Sequence, residues 1–200
     1  MAKKNGAENR FELCPVDPRI KKTESCFMRI TGGTLCRREL KVPRAGVRPT
    51  QDKVRAALFS SIAEFVPGIR VLDLFAGSGA LGLEAWSRGA ASVCWVESDR
   101  RVFDVMKQNV TSLCVGEGGG TQCRLADALL FLRKGGDGEP FSLILADPPY
   151  DRDGKKSWLE NTLRAVEESS ILAGHGLLIF EQSAGEAVVE RAGWAVLRDR

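Results

Sequence analysis

The chain has 200 residues but only one histidine, one tyrosine and no apolar run long enough to span a bilayer. Its opening, Met1-Ala-Lys-Lys-Asn-Gly6, lacks the apolar centre of a secretory signal. A soluble protein of the cytoplasm, with no membrane role, is therefore expected. The six cysteines, at 14, 26, 36, 94, 114 and 123, contain no Cys-x-x-Cys pair and have no cluster of histidines to join them. That spacing argues against zinc and against any other metal site, and reads the thiols as reduced packing residues. The lone His175, in Ala-Gly-His-Gly, is expected in a loop ahead of a strand rather than as a base.

What is present is an ordinary globular composition, 44% hydrophobic and 28% charged, on a length suited to one domain with a real core. The net charge of +3 is unevenly spread. Residues 1–55 carry 14 Lys+Arg against 6 Asp+Glu, whereas residues 56–200 carry 15 against 20. A basic leading segment on an acidic remainder suggests a nucleic-acid contact surface joined to a catalytic module. Residues 1–27, polar and without periodicity, are expected to form a disordered basic tail. Residues 28–49 differ: Met28–Ile30 and Leu35–Val42 alternate around Gly32-Gly33, which suggests a hairpin. Arg29, Arg37, Arg38, Lys41 and Arg44 would project from it, and the planar guanidinium suits phosphate.

The chemistry is concentrated in two motifs. Asp147-Pro-Pro-Tyr150 follows the apolar run Phe141–Ala146 and places a rigid, kinked backbone at the carboxyl end of a strand. The Asp147 carboxylate and the Pro148 carbonyl could accept two hydrogen bonds from one planar amine, with the Tyr150 ring stacked on the attached base. The other motif is Gly77-Ser-Gly79-Ala-Leu-Gly82, which follows the strand Arg70–Phe75 and opens a helix. Glu97, at the end of the strand from Ala91 and twenty residues beyond Gly77, stands where a ribose would be bound. A dinucleotide would place a pyrophosphate beside Asp73. A carboxylate there suits the ammonium and sulfonium of S-adenosylmethionine, and hydride transfer has no use for Asp-Pro-Pro-Tyr.

The remaining pattern alternates helix and strand, as in a doubly wound α/β sheet. Thr50 is read as the N-cap of a helix with Val54, Ala57, Leu58, Ser61, Ile62 and Phe65 on one face. Val102, Val105, Met106, Val110 and Leu113 mark a second helical face, and Trp158, Leu159, Leu163 and Val166 a third. Strands are expected at Thr121–Leu125, His175–Glu181 and Trp194–Leu197. Asp127 can cap a helix over Ala128–Arg133, contact a cofactor, or do both.

Arg29-Ile-Thr-Gly-Gly33, Arg48-Pro-Thr50, Asp73–Ala85 and Asp147–Tyr150 together resemble the RsmD-type 16S rRNA (guanine-N2)-methyltransferases, from about Met28 to the C-terminus. The resemblance implies a Rossmann-like class I methyltransferase fold over residues 50–200, with a mostly parallel sheet of seven strands. It also implies methyl transfer from S-adenosylmethionine to the exocyclic N2 of one guanine in small-subunit rRNA, leaving S-adenosylhomocysteine. By this reading Asp147, Pro148 and Tyr150 hold the acceptor. Asp73, Phe75, Gly77, Gly79, Glu97, Asp127 and Asp147 surround the cofactor, and Arg29, Arg37, Arg38, Arg48 and Thr50 meet RNA. The implied partner is 16S rRNA in an assembled or partly assembled subunit, engaged by a monomer. The sequence departs from the resemblance at Asp199-Arg200, where a seventh strand is expected and none follows. An amino-methyltransferase of adenine or cytosine in DNA is the closest alternative, but the short chain has no DNA-recognition segment. A protein-glutamine methyltransferase would favour Asn where Asp147 stands. A non-catalytic RNA-binding protein fits poorly with a complete set of site residues.

Overall fold

The computed structural model describes residues 27–43, 52–115, 119–136, 138–149, 156–182 and 191–197. Arg44, Arg48, Thr50 and Tyr150, with nearly all of the expected tail, lie outside them.

In chain order the elements are β1 (Phe27–Arg29), β2 (Glu39–Lys41), α1 (Asp52–Ser61), β3 (Arg70–Leu74), α2 (Ala80–Ser87) and β4 (Ser92–Glu97). There follow α3 (Arg100–Leu113), β5 (Thr121–Leu125), α4 (Ala128–Arg133), β6 (Phe141–Ala146), α5 (Trp158–Ser169) and β7 (Leu172–Phe180). Strands β3 to β7 make one parallel sheet in the order β5-β4-β3-β6-β7. This is a Rossmann-like α/β arrangement. Among the described residues the sheet has five strands, where the resemblance implies seven.

Central parallel strands are covered on both faces and so are apolar almost throughout. Val71, Leu72 and Leu74 of β3 and Leu143, Ile144 and Leu145 of β6 are fully buried. One face joins Leu83 of α2, Trp95 of β4 and Met106 of α3. The other joins Leu72 and Ile144 to Phe131 and Leu132 of α4 and Val166 of α5. Burying one such side chain contributes roughly 1.5–3 kcal/mol. Helix starts are capped where the sequence supplies an acid: Asp99 accepts from Arg101 N (2.8 Å) and Val102 N (3.1 Å), and Asp127 from Leu130 N (2.9 Å).

Strands β1 and β2 pair antiparallel in the hairpin expected around Gly32-Gly33, but residues 34–37 form its turn, so the second strand starts at Glu39 and not at Leu35. Their apolar side chains Met28, Ile30 and Leu40 are part of the same cluster as Leu83 and Met106. The hairpin therefore lies against the core of the five-stranded sheet and shares it.

Three expectations require correction. Helix α1 buries Arg55 and Phe59, whereas Val54 is half exposed and Ala57 exposed. The apolar period is right for Leu58, Ile62 and Phe65, which pack against the core, but Arg55, drawn inward by a buried carboxylate on α2, takes the place expected for Val54 and Ala57. Trp194–Leu197 forms no strand. Trp194 Nε1 and Arg191 both donate to Glu167 of α5, and Val196 and Leu197 remain exposed, so this segment is held to the helix rather than to a sheet edge. His175 lies within β7 and not before it. It is exposed, in the stretch where the β6–β7 register shifts between Phe141↔Leu172 and Leu143↔Leu177. No helix among the described residues is long and apolar enough to cross a membrane.

Candidate active site

The strand order reverses on either side of β3, so the carboxyl ends of β3 and β6 flank a switch point, where open α/β sheets bind ligands. In register Leu74 stands beside Ala146, and the chains leave the sheet there as Phe75 and Asp147. The two motifs of the sequence thus meet at one crevice.

Phe75 turns the chain with φ 56°, a left-handed conformation that a non-glycine residue rarely adopts. Gly77 and Gly79 continue the turn at φ 56° and 82°, as the sequence spacing predicts. Ala76 N donates to Val96 O (3.0 Å) and Gly79 N to Ala76 O (2.7 Å), which closes the loop against β4. Gly82 meets a different demand. A Cβ at this position would overlap the Trp95 indole, whose Nε1–H donates to Gly79 O at 3.1 Å.

Glu97 spans two loops: one oxygen accepts from Gly77 N (3.0 Å) and the other from Asp99 N (2.8 Å). Asp73 is buried beneath the glycine turn and accepts from Gly82 N (2.8 Å). Burial pushes its carboxyl well above the usual carboxylate range. The Gly82 N–H pulls it back, and the nearby charges of Asp147 and then Glu97 raise it further. Three carboxylates therefore converge around the glycine turn, and a ligand carrying positive charge would relieve their repulsion.

Asp147 and Pro148 are half-buried at the end of β6, and Pro149 is exposed. The Ala146 carbonyl beneath them accepts from Glu181 N (2.8 Å), which leaves the turn supported by β7. Trp158, at the start of α5, donates from Nε1 to Pro149 O (3.1 Å), with its ring edge-on to Phe75. Asp127 stands exposed at the end of β5, with one oxygen committed to the α4 cap. A groove of about 430 Å³ opens beside it, lined by Arg124, Leu125, Leu130, Phe131 and Lys134. That groove follows the flank of α4. Among the described residues no His, Cys, Asp or Glu cluster could hold a metal.

Arg29, Arg37 and Arg38 are exposed on the hairpin. Arg29 pairs with Glu39 across the two strands at 3.1 Å, and Arg37 turns the loop at φ 69°.

Sequence reasoning missed the layer that attaches this hairpin. Glu84 of α2 is fully buried and accepts from Thr31 N (2.7 Å) and Thr31 Oγ1 (3.1 Å), while pairing with Arg55 and Arg88. Arg88 Nη2 donates in turn to Thr31 Oγ1 (3.0 Å) and its guanidinium lies over Phe59 at 4.8 Å. Ser87 donates to Gly32 O (2.5 Å) and accepts from Leu35 N (2.8 Å). Asn109 of α3 joins Lys41 of β2 to the Ser78 carbonyl of the glycine turn. The only signal available was the run Thr31-Gly32-Gly33 itself, which marks a close backbone approach and not a phosphate contact.

The family described as Conserved hypothetical protein 95 matches residues 28–200. The chain is 35% identical over 175 residues to Ribosomal RNA small subunit methyltransferase D of Escherichia coli K12, covering 86% of this chain and 84% of that protein. It is 34% identical over 172 residues to the putative rRNA methyltransferase YlbH of Bacillus subtilis, covering 85% and 90%. Among solved structures, the putative methyltransferase yhhF of Escherichia coli superposes with a TM-score of 0.74 at 36% identity, over 88% of this chain and 92% of that one.

Proposed function

The chain belongs to the Conserved hypothetical protein 95 family, and from that premise we propose that it methylates the exocyclic N2 of a guanine in 16S rRNA. The observation that carries this reading is the side-by-side exit of Phe75 and Asp147 from β3 and β6, above the acids Asp73 and Glu97. A methyl donor and a flat amine must meet at one point, and the strand ends supply both sides. The names of the similar proteins, ribosomal RNA small subunit methyltransferase D and putative rRNA methyltransferase, support the substrate class.

S-adenosylmethionine fits the residues present. Gly77 and Gly79 offer approachable backbone, and the convergent carboxylates favour a cationic group. Asp73, Phe75, Gly77, Gly79, Glu97 and Asp127 would hold it, and when bound it supplies an electrophilic methyl group on sulfur. The protein's own task is alignment. The Asp147 carboxylate and Pro148 carbonyl accept hydrogen bonds from the guanine N2–H groups and turn the nitrogen lone pair toward the cofactor side. Tyr150 stacks on the base once it is turned out of its helix. Much of the rate enhancement comes from this orientation of the reacting atoms. Asp147 takes up the proton that N2 sheds, which is worth about 10²–10⁴-fold when a base is well placed.

The exposed Arg29, Arg37 and Arg38, with Arg48 and Thr50, grip RNA phosphates. So small a domain covers little RNA, so the shape of an assembled or partly assembled subunit supplies part of the specificity, and a monomer acting in the cytoplasm suffices.

The test is transfer of labelled methyl from S-adenosylmethionine to small subunits lacking the modification, beside free rRNA and duplex DNA. Label on the subunit, recovered as N2-methylguanine, supports the proposal. Label on DNA, or none on any RNA while the cofactor still binds, overturns the substrate assignment.

A further inference from the structure

Trp158 joins the two halves of the crevice through one side chain. Its Nε1–H donates to the Pro149 carbonyl at 3.1 Å. Its ring meets Phe75 edge-on, with centroids 5.1 Å apart and planes at 72°. Lys156 Nζ lies 5.0 Å over the same ring from another side.

The partners are informative. Phe75 is the left-handed residue that starts the glycine turn, so a shift of its ring moves the backbone leading to Gly77. Pro149 lies within the acceptor motif and has no N–H, so its carbonyl is the group of that residue by which the turn can be held. The indole itself is anchored, because the first turn of α5 is tied down by Asn161, which donates from Nδ2 to Lys156 O (2.8 Å) and from N to Ser157 O (2.9 Å). A core residue at a helix start needs no such pair of contacts. Trp158 is only half-buried, and it contributes to neither of the two face-wide hydrophobic clusters.

We propose that Trp158 is a positioning residue for methyl transfer: it sets the distance between the acceptor turn at Asp147–Pro149 and the cofactor turn at Phe75. The inference rests on the proposed function for its catalytic readout. It makes the two turns one mechanical unit, so that filling the cofactor side is felt at the indole N–H.

Trp158→Phe keeps an aromatic edge for Phe75 and removes the hydrogen bond. We expect turnover on small subunits to fall about tenfold, the cost of one lost hydrogen bond where alignment matters. Cofactor affinity and thermal midpoint should stay near wild type. Trp158→Ala should lower turnover further and also loosen cofactor binding, through Phe75. A residue that merely filled space would give the reverse order, with stability lost and turnover per folded molecule kept. In a ¹⁵N-labelled sample the Trp158 indole resonance, identified by its absence in Trp158→Phe, should move on saturation with S-adenosylhomocysteine. That spectrum requires no RNA. If the wild-type enzyme fails on every RNA, the substrate reading fails, and a moving indole signal still supports the coupling. An unmoved indole signal, or wild-type turnover in Trp158→Phe, overturns the inference.

Discussion

Arg55 of α1 and Glu84 of α2 face each other with both side chains fully buried, Nε to Oε1 at 3.5 Å. Arg55 also donates to Arg29 O (2.6 Å) and to Asp52 Oδ1 (2.8 Å), so its charge is shared between two acids and a strand carbonyl. Glu84 similarly serves Arg88 and Thr31. Removing Glu84 would leave Arg55 only the exposed Asp52 as a carboxylate partner and would take the buried one from Arg88. Glu84→Ala is expected to cost about 3–5 kcal/mol in a denaturant titration, as for other buried pairs broken from one side. The exposed Arg29–Glu39 pair is the contrast: Arg29→Ala should cost less than about 1 kcal/mol. Equal losses for the two variants would refute the buried network as a determinant of stability.

Gly33 and Gly68 share nearly the same left-handed backbone, at φ 76° and 77°. Around Gly68 a Cβ would meet nothing within 4 Å, whereas at Gly33 it would overlap the Ser87 carbonyl. Gly68→Ala should therefore cost only the conformational term, about 1–2 kcal/mol. Gly33→Ala should lose a further roughly 1–3 kcal/mol from forced separation of the hairpin and α2. Paired melting curves isolate the clash, since the backbone term cancels.

Asp73 carries a stability cost with a definite pH dependence. Its folded pKa is raised, chiefly by burial, so the folded state holds its proton more tightly than the unfolded chain. The stabilisation from that more tightly held proton is fully present below the ordinary carboxylate pKa and is lost as pH rises through the elevated folded value, so the cost is felt at higher pH. Asp73→Asn, which keeps an oxygen for Gly82 N, should melt at higher temperature than wild type at neutral pH and show a flatter pH profile. Calorimetric titration with S-adenosylmethionine should find its binding weakened. A variant that melts lower at neutral pH would contradict the assigned strain.

For Asp147 the expected loss lies in turnover. Asp147→Ala should lower the rate by about 10²–10⁴-fold while leaving cofactor binding nearly intact. Relief of its charge on Asp73 should, if anything, steady the fold. Loss of binding with normal turnover at saturation would assign Asp147 to the cofactor instead.

Asp127 allows its two roles to be separated. Asp127→Asn can still cap α4, while Asp127→Ala should cost about 1 kcal/mol for the missing cap. Weakened cofactor binding in both variants, with stability lost only in the second, would show that the exposed carboxylate meets the ligand as well.

The parts of the fold legible in the sequence were those where local pattern and tertiary demand agree. β5 over Thr121–Leu125, α4 over Ala128–Arg133 and β6 over Phe141–Ala146 fall on the residues that their pattern indicates. In β6 a short apolar run is buried from both sides, and α4 follows an acid that can cap it. The glycine spacing was legible for the same reason, since Gly77 and Gly79 adopt positive φ and Gly82 faces the Trp95 ring. The face of α1 was legible only in part: Leu58, Ile62 and Phe65 pack inward as expected, but Arg55 is buried on account of a partner 29 positions away, which periodicity does not encode. Trp194–Leu197 is a short apolar run that reads as a strand, yet the bond from Trp194 to Glu167 decides its place. Of the candidate site, the meeting of Phe75 with Asp147 follows from topology, but the bridge through Trp158 depends on rotamers and a helix start. Arg48, Thr50 and Tyr150 remain expectations from the sequence, lying outside the described residues.

The hairpin's attachment bears on how such enzymes can diversify. Thr31 and Gly32 are held by Glu84 and Ser87, on the helix that the glycine turn begins, and Asn109 ties β2 to Ser78 within that turn. The hairpin arginines proposed to meet RNA therefore do not sit on an interchangeable cassette. Transplanting the hairpin from a relative, or trimming it to make a minimal catalytic unit, would strand a buried acid and unsettle the cofactor turn together. Under the proposed RNA contact, new targets are more readily reached by changing the exposed side chains at 29, 37 and 38 than by exchanging the segment that carries them.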